Sequence, residues 1–381
     1  NFVSATNTTL GGDNGIAVAY GLAIMEDTTL SHPALELVIT VDEEIGLLGA
    51  ASIDTTPLKA KYLINLDSEE EGYICAGCAG GMTAVSEIPV RYQEYTDYKW
   101  RIKVSGLLGG HSGAEIDKNR ANATLLLARF LHEGKEIAEY SVSELFGGQK
   151  DNAIPREAEA LVLASKEEGE KLSAYAAAYT EALRKEYTGS DEGITVTIEG
   201  EGQGTEPVLH PVSQEKVLFF LLNYPNGIQK MCGFIDGLVE TSCNVGITKL
   251  TPEALSCSAS VRSSVGTAKK ALADKIAYLT EFLGGTFTIE GEYPAWEFKQ
   301  DSKLRQVLVD VYQEMYKKEP VVNVIHAGLE CGLFYEKIEG LDCVSVGPDM
   351  QDIHTSEEKL CISSVERVWK YLLEVLKRIK E

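Results

Sequence analysis

Basic side chains are scarce in this sequence. Its 381 residues include 35 lysines and arginines against 58 aspartates and glutamates, which gives a formal net charge of −23. A surface with that excess of negative charge repels the phosphates of nucleic acids and of anionic membranes. We therefore exclude nucleic acid and membrane surfaces as partners. The same excess is compatible with a site that collects cations, although it does not demonstrate one.

Long apolar runs are absent as well. No stretch reaches the roughly 18 apolar residues that a membrane-spanning helix requires, and no secretory signal peptide is recognisable. These absences predict a cytoplasmic protein whose eight cysteines stay reduced. The pair Cys75 and Cys78 has C-x-x-C spacing, but it lacks both a second such pair for zinc and a thioredoxin-like context. We interpret most of the cysteines as small buried hydrophobes.

The length allows two domains, and the pattern of apolar residues changes along the chain. Residues 1–88 and 294–381 combine apolar strands with helices, which predicts an α/β domain with a mostly parallel sheet. Residues 89–293 contain strands and helices whose order partly repeats. This predicts an inserted α+β domain built from a duplicated, ferredoxin-like unit, with boundaries near Ile88 and Tyr293.

Three consecutive acids follow the apolar run Leu35–Ile39, which predicts a buried strand. Asp42, Glu43 and Glu44 repel one another and lose hydration on burial, so their position favours a nearby cation. Because successive side chains of an extended segment point to opposite sides, Glu43 and Glu44 should differ in role. One could bind a cation while the other faces a substrate or a water. A solvated acidic turn is the alternative that this stretch alone leaves open.

Further candidate ligands lie at the ends of other predicted elements. Asp67 follows a second apolar strand, His354 lies in the loop after a third, and Asp13 lies at the predicted start of a helix. Ligands of open α/β sheets bind outside the carboxyl ends of the strands. With Glu44, these side chains form an oxygen and nitrogen set suited to zinc or a similar divalent ion. We therefore expect all four to meet in one pocket; coincidence, and a plain helix cap at Asp13, are the alternatives.

Several distinctive motifs occur in order along the whole chain: Thr9–Gly15, Thr40–Glu44, Asn65–Gly72, Gly109–Gly113, Asn152–Glu157 and His326–Gly332. Together they resemble the aminoacyl-histidine dipeptidases, also called Xaa-His or cytosol non-specific dipeptidases. This family belongs to the co-catalytic zinc metallopeptidases that include carnosinases. The resemblance implies a catalytic domain with two divalent metal ions, zinc first and manganese or cobalt as alternatives. It also implies an inserted lid domain that closes over a short peptide substrate.

The resemblance also implies a role for each acid of the pocket. Asp13 would bridge the two metal ions, Glu44 and His354 would complete one of them, and Asp67 would belong to the other. Glu43 would be the general base that activates the attacking water. These assignments agree with the different roles that strand geometry requires of Glu43 and Glu44.

Substrate contacts follow from the same resemblance. Arg262 would clamp the substrate carboxylate, because its planar guanidinium binds both oxygens of a carboxylate. The weaker assignments, as lid or substrate contacts, are His111, Asn152, Asn244 and Glu330. The alternatives are a surface ion pair for Arg262, a structural role for His111, and backbone hydrogen bonds for Glu330. Monomer and homodimer are both open.

One motif of the family has no counterpart in the sequence. This is a His-x-Asp upstream of the Gly-rich loop, whose histidine binds the metal held by Asp67; no histidine precedes His32. We expect this motif to lie outside the 381 residues, which alone would hold one metal poorly and be nearly inactive. The predicted function is metal-dependent hydrolysis of Xaa-His or other dipeptides. A non-catalytic peptide- or metal-binding homologue and a related aminopeptidase or deacylase are the alternatives.

Overall fold

A computed structural model describes residues 1–379. Its helices are α1 (Gly12–Glu26), α2 (Leu48–Ser52), α3 (Ala123–Gly134), α4 (Lys166–Glu186), α5 (Pro211–Asn223), α6 (Gly266–Phe282), α7 (Lys303–Tyr316), α8 (Glu330–Lys337) and α9 (Ile362–Arg378), with a 3₁₀ turn at Ile116–Lys118. Its strands are β1 (Phe2–Ser4), β2 (Tyr62–Asn65), β3 (Tyr73–Cys78), β4 (Gly80–Pro89), β5 (Tyr92–Ser105), β6 (Gly110–His111), β7 (Ser141–Gly147), β8 (Ala153–Ile154), β9 (Ala158–Ala164), β10 (Thr195–Leu209), β11 (Gly227–Met231), β12 (Val239–Leu250), β13 (Ala254–Ser263), β14 (Thr286–Tyr293), β15 (Val321–Ile325), β16 (Asp342–Ser345), β17 (Met350–Gln351) and β18 (Lys359–Cys361).

The chain forms two units. Unit 1 contains Asn1–Gly80 and the described residues from Tyr293 onward, and unit 2 contains Gly81–Glu292. The boundary drawn from the sequence near Ile88 falls inside β4, whereas the units separate at the start of that strand. No helix within residues 1–379 is long and apolar enough to cross a membrane.

The main sheet of unit 1 is mostly parallel and is buried on both faces. Its strand order is β15-β3-β16-β2; β15 is parallel to β3 and β2 to β16, while β16 and β3 run antiparallel. Ile74 belongs to a buried cluster with Leu308 of α7 and Tyr371 of α9, whereas Cys75 belongs to another with Phe334 of α8. Since adjacent strand residues point to opposite faces, helices cover both sides of the sheet. The predicted α/β class is confirmed.

A second, three-stranded sheet connects the two ends of unit 1. Its order is β1-β18-β17, and Phe2 lies opposite Cys361 in antiparallel register. This pairing fixes the loop between β17 and β18, which contains His354, beside the segment that leads from β1 into α1.

The strand predicted at Leu35–Ile39 is not formed. Within the described residues, no strand lies between α1 and β2, and the side chains of Leu37 and Ile39 are 42% and 55% exposed. An apolar run becomes a strand only when a neighbouring strand accepts and donates its backbone hydrogen bonds. None of the strands that the structure describes pairs with this segment.

Unit 2 is a duplicated α+β unit, as the sequence predicts. The elements β5-α3-β7-β9-α4-β10 form one βαββαβ repeat, in which the strands lie in the order β10-β5-β9-β7. The elements β4, α5, β12, β13, α6 and β14 form the second, with the equivalent order β14-β4-β13-β12. The first repeat is therefore inserted after the first strand of the second one. The two repeats join through β7 and β12 into one continuous sheet.

Candidate functional site

Three of the predicted ligands lie together in unit 1. His354 Nε2 is 3.2 Å from Asp13 Oδ2 and 3.0 Å from Glu44 Oε1. One ligand atom from each of the three side chains lies within 4.8 Å of the others. Although burial acts to lower it, the neighbouring carboxylates of Glu44 and Asp13 raise the pKa of His354. Two carboxylates and one imidazole at these separations match the donor set of a zinc-type ion.

Asp67 lies beside this trio. It follows β2, and the side-chain amide of Asn14 donates to its Oδ1 over 3.0 Å. Burial, together with the negative charges of Asp13, Glu43, Glu330 and Glu69, raises the pKa of Asp67 to about 8. Carboxylates gathered in one buried place are costly unless they share protons or bind cations. The donor set therefore fits divalent metal ions.

Glu43 and Glu44 take different positions, as the sequence argument requires. Glu44 is hydrogen-bonded to His354, whereas Glu43 is half-buried and lies outside that trio. Burial, followed by the negative charges of Glu44, Glu330 and Asp13, raises the pKa of Glu43 to about 6. Glu44 is more exposed than Glu43, but its hydrogen bond with His354 ties it to a defined neighbour.

Tight backbone packing fixes the turn that carries these two acids. The N–H of Leu48 donates to Asp42 O over 3.1 Å, and the N–H of Gly49 donates to Val41 O over 2.9 Å. A Cβ atom at Gly49 would lie 2.3 Å from Val41 O, so only glycine permits this approach.

Glu330 is the remaining candidate in unit 1, and it begins α8. Its Oε2 accepts a hydrogen bond of 2.9 Å from the hydroxyl of Thr40. Its Oε1 is buried and has no hydrogen-bond partner among residues 1–379. Burial raises the pKa of this carboxyl. Glu330 therefore accepts a side-chain hydroxyl here rather than the backbone donors that one alternative assigned to it.

A cavity of about 910 Å³ connects these residues within unit 1. Asp13, Glu43, Asp67 and Glu330 lie in its wall. The rest of the wall is largely apolar and includes residues of α1, the irregular segment 33–40 and β2.

The candidates of unit 2 form a second group. Arg262 lies opposite Ser242 in the pairing of β13 with β12, so it shares a face with Asn244 two residues further along β12. The side chain of Arg262 is only 8% exposed, which rules out the alternative of a surface ion pair. Burial, followed by the positive charge of Arg262, lowers the pKa of His111. Arg262 and His111 are therefore near neighbours.

Asn244 and Asn152 hold the loops around His111. The amide nitrogen of Asn244 donates to the carbonyl oxygens of Asp151 and Ala153, over 2.9 Å each. Ala153 pairs with His111 in the short sheet of β6 and β8, and the N–H of Ser112 donates to Asn152 O over 2.9 Å. His111 Nδ1 accepts from the N–H groups of Gly113 and Ala114, over 3.2 and 3.1 Å. This leaves Nε2 as the ring nitrogen turned away from its own turn.

Two residues of the ligand cluster were not found by sequence reasoning. Asn14 bonds to Asp67, and the carboxylate of Glu358 accepts the backbone N–H groups of residues 10–13. Asn14 could have been noticed, because it follows the ligand Asp13 directly. Glu358 lies in an acid-rich stretch with no local feature that distinguishes it from a solvated acid.

Comparisons with known proteins show which family the chain resembles. Residues 102–191 match the family described as the peptidase dimerisation domain of M20 peptidases. The chain is 34% identical to the cytosol non-specific dipeptidase of Escherichia coli K12, over 99% of this chain and 78% of that protein. Identity at that level over nearly the whole chain confirms the resemblance inferred from the motifs.

Solved structures give the same result. The aminoacylhistidine dipeptidase of Vibrio alginolyticus superposes with a TM-score of 0.93 at 33% identity, over 100% of this chain and 78% of that one. An aminopeptidase of Bacillus cereus shares the fold, with a TM-score of 0.50 at 14% identity over 99% of this chain and 74% of the other.

Proposed function

The chain belongs to the M20 metallopeptidase family of cytosol non-specific and aminoacylhistidine dipeptidases, and from this premise we propose that it hydrolyses dipeptides with two divalent metal ions. The names of both relatives support a dipeptide substrate, either Xaa-His or of broad sequence. Zinc is the proposed metal, with manganese and cobalt as alternatives. The observation that carries the proposal is the meeting of Asp13, Glu44 and His354 from three distant parts of the chain.

The proposed ligands divide between two ions. Glu44 and His354 would hold the first, Asp67 would contribute to the second, and Asp13 would serve both. The contact of Asn14 with Asp67 supports this division, because Asn14 follows Asp13 and keeps the two carboxylates adjacent. When bound, the ions polarise the scissile carbonyl and lower the pKa of a water molecule.

Glu43 is the proposed general base. It is next to a ligand in sequence, but its side chain is not part of the ligand trio. From that position it accepts the proton of the attacking water and then donates it to the leaving amine. A carboxylate bound directly to an ion could not carry out this transfer as readily, since its lone pairs would already be engaged.

The proposed substrate contacts recognise the two charged ends of a dipeptide. Arg262 binds the free carboxylate through two parallel hydrogen bonds, and its burial supports this because shielding from water strengthens a charged contact. His111 stabilises charge that develops on the carbonyl oxygen, while Asn152 and Asn244 shape its surroundings. Glu330 receives the substrate ammonium, which its unpartnered buried oxygen supports.

Assembly and location extend the proposal. The match of residues 102–191 to a peptidase dimerisation domain supports a homodimer. The word cytosol in the name of the Escherichia coli relative supports a cytoplasmic enzyme. Light scattering of the purified protein tests the first statement, and fractionation of cells tests the second.

Metal removal is the experiment that tests the central proposal. The protein is exhaustively chelated, assayed with a panel of dipeptides, and then supplied with zinc, manganese or cobalt. We expect turnover to disappear with the metal and to return with at least one of these ions. Undiminished turnover by the chelated protein, with metal content verified by elemental analysis, would contradict the mechanism. Metal binding without any turnover would favour a non-catalytic homologue.

A further inference from the structure

Glu358 is a buried carboxylate that touches the first ligand loop. Its side chain is 3% exposed although it follows an exposed, polar loop. Oε2 accepts the N–H groups of Leu10 and Gly11 over 2.7 and 3.0 Å, and Oε1 accepts those of Gly12 and Asp13 over 2.8 and 3.2 Å. Both oxygens are therefore saturated by four consecutive backbone donors. No lysine or arginine among residues 1–379 forms an ion pair with it.

The donor loop is built to receive an anion. Consecutive backbone N–H groups that converge on one point form an anion-binding concavity. Gly11 has φ = 71°, a left-handed conformation that glycine adopts without cost, and a Cβ at Gly12 would lie 3.1 Å from Glu358 Oε1. The two glycines thus allow the carboxylate to approach the backbone closely. The chain supplies its own anion where many proteins bind phosphate.

The same carboxylate joins two ligand loops that are far apart in sequence. Asp13, whose N–H is the fourth donor, contributes one ligand, and His354 lies four residues before Glu358 in the loop that ends at β18. The pairing of β18 with β1 brings these loops together, but β1 ends at Ser4. After Ser4, the side chain of Glu358 ties the backbone of residues 10–13 to the His354 loop, in addition to the contact between the side chains of Asp13 and His354.

We propose that Glu358 is the positioning residue of the metal centre: its bonds to the backbone of residues 10–13 place the Asp13 carboxylate against His354. This inference rests on the proposed function, since it assumes that Asp13 and His354 bind one ion. Glu358 itself would bind neither substrate nor metal. It acts by fixing a backbone that Coulomb repulsion among the site carboxylates would otherwise displace.

Replacement by glutamine tests the proposal most directly, because Glu358→Gln keeps the shape and changes one oxygen into an amide nitrogen. Whichever way the amide turns, two backbone donors face another donor and lose their acceptor. We expect zinc to bind about 10- to 100-fold more weakly, the loss typical of residues that orient metal ligands. Titration of the metal-free protein against a competing chelator measures this affinity.

Asp342→Asn is the matched control. Asp342 is also a buried carboxylate of unit 1, and it accepts Ser302 Oγ over 2.6 Å and the N–H of Leu304 over 3.1 Å. It lies at the start of β16 opposite Tyr62, at the end of the sheet away from Asp67. The control should lose stability but keep zinc affinity within about twofold of the unchanged protein, because distant sites act independently.

Hydrogen exchange supplies a readout that needs no metal. In the metal-free protein, the amides of residues 10–13 should exchange at least about tenfold faster in Glu358→Gln than in the unchanged protein or in the control, because loss of the acceptor opens the loop. Glu358→Ala adds a second test, since it leaves a carboxylate-sized space in front of four donors. Added formate should restore zinc affinity in that variant in a saturable manner, and equal ionic strength of chloride should not.

The outcomes separate this inference from the proposed function. Unchanged zinc affinity and unchanged exchange in Glu358→Gln, in a protein that binds zinc, would overturn the positioning role and leave the function standing. If the protein without substitutions binds no divalent ion, the proposed function is overturned, and the positioning role of Glu358 with it. A loss of affinity in Asp342→Asn as large as in Glu358→Gln would reduce the effect to general destabilisation and would also overturn the proposal.

Discussion

Unit 1 and unit 2 hold their candidate residues in opposite ways. In unit 1, Asp67 and His354 project from loops after strands, and several carboxylates crowd one another. In unit 2, Arg262 and Asn244 lie on paired central strands and are buried. The first arrangement concentrates negative charge that a cation would relieve. The second preorganises hydrogen-bonding groups that need no further ion. Under the proposed function, the metal ligands and the general base belong to unit 1, and the arginine that would bind the substrate carboxylate belongs to unit 2.

Replacing Glu43 should produce the largest effect on catalysis. An unchanged kcat would contradict the placement of the general base in unit 1. Glu43→Ala removes the proposed proton acceptor, so kcat should fall by about 10²- to 10⁴-fold. Metal content should remain normal, because Glu43 is outside the ligand trio. Steady-state kinetics with elemental analysis measure both quantities. Glu44→Ala is the matched variant and should lose metal. If Glu43→Ala loses metal instead, the roles of the two neighbours are exchanged.

A core substitution in unit 2 tests whether the two units are energetically independent. Phe130 of α3 is fully buried in the core of unit 2, where its ring packs against Tyr175 and Tyr179 of α4, so Phe130→Ala should cost about 3–5 kcal/mol of unfolding free energy. The zinc affinity of the folded protein should not change, since the ligands lie in unit 1. Urea denaturation and metal titration measure these effects.

Phe282→Ala supplies the control for that experiment. Phe282 ends α6 in the same unit and is 74% exposed, so its removal should change stability by less than about 0.5 kcal/mol. A parallel loss of stability and zinc affinity in Phe130→Ala would show that the units do not behave separately.

Substitution of Arg262 tests whether unit 2 recognises the substrate carboxylate. Arg262→Ala should remove about 1.5–3 kcal/mol of substrate binding, or roughly 10- to 150-fold in kcat/KM, for peptides with a free carboxylate. Amidated peptides should lose much less, because they never engage the guanidinium. Arg262→Lys keeps the charge without the planar fork and should recover only part of the loss. Equal losses on free and amidated peptides would refute the carboxylate clamp.

Local patterns predicted most of the fold, and the exceptions have a physical cause. The duplicated unit was predictable because each repeat carries its own alternation of strands and helices along the chain. The strand predicted at Leu35–Ile39 was wrong, because apolar character alone does not supply a hydrogen-bonding neighbour. β4 is the first strand of the second repeat, yet it precedes the whole first repeat in the chain. Local patterns do not indicate this long-range arrangement, so the boundary drawn near Ile88 falls inside β4.

The site was predictable to the extent that its residues follow recognisable strands or motifs. Asp13, Glu44 and His354 lie together as expected, although the strand predicted before Glu44 is not formed. A turn stabilised by backbone hydrogen bonds carries Glu44 instead. Glu358 could not be predicted, since its function depends on backbone donors about 345 residues away rather than on its neighbours. Nothing in the sequence indicated that the amide of Asn244 donates to two backbone carbonyls or that the carbonyl of Asn152 accepts from Ser112.

Asn244 should give the smallest effect on catalysis, and it tests whether recognition in unit 2 extends beyond Arg262. Its amide donates to the carbonyl oxygens of Asp151 and Ala153, so Asn244→Ala removes the donor of two partly buried acceptors. We expect a loss of about 1–3 kcal/mol in stability, with kcat nearly unchanged and KM raised about tenfold or less. Asn244→Asp keeps the size of the side chain but cannot donate to these carbonyls. It should show the same losses as Asn244→Ala if the amide hydrogen bonds are what matters. A collapse of kcat in both variants, with stability unchanged, would instead make Asn244 a direct contact of the reacting groups.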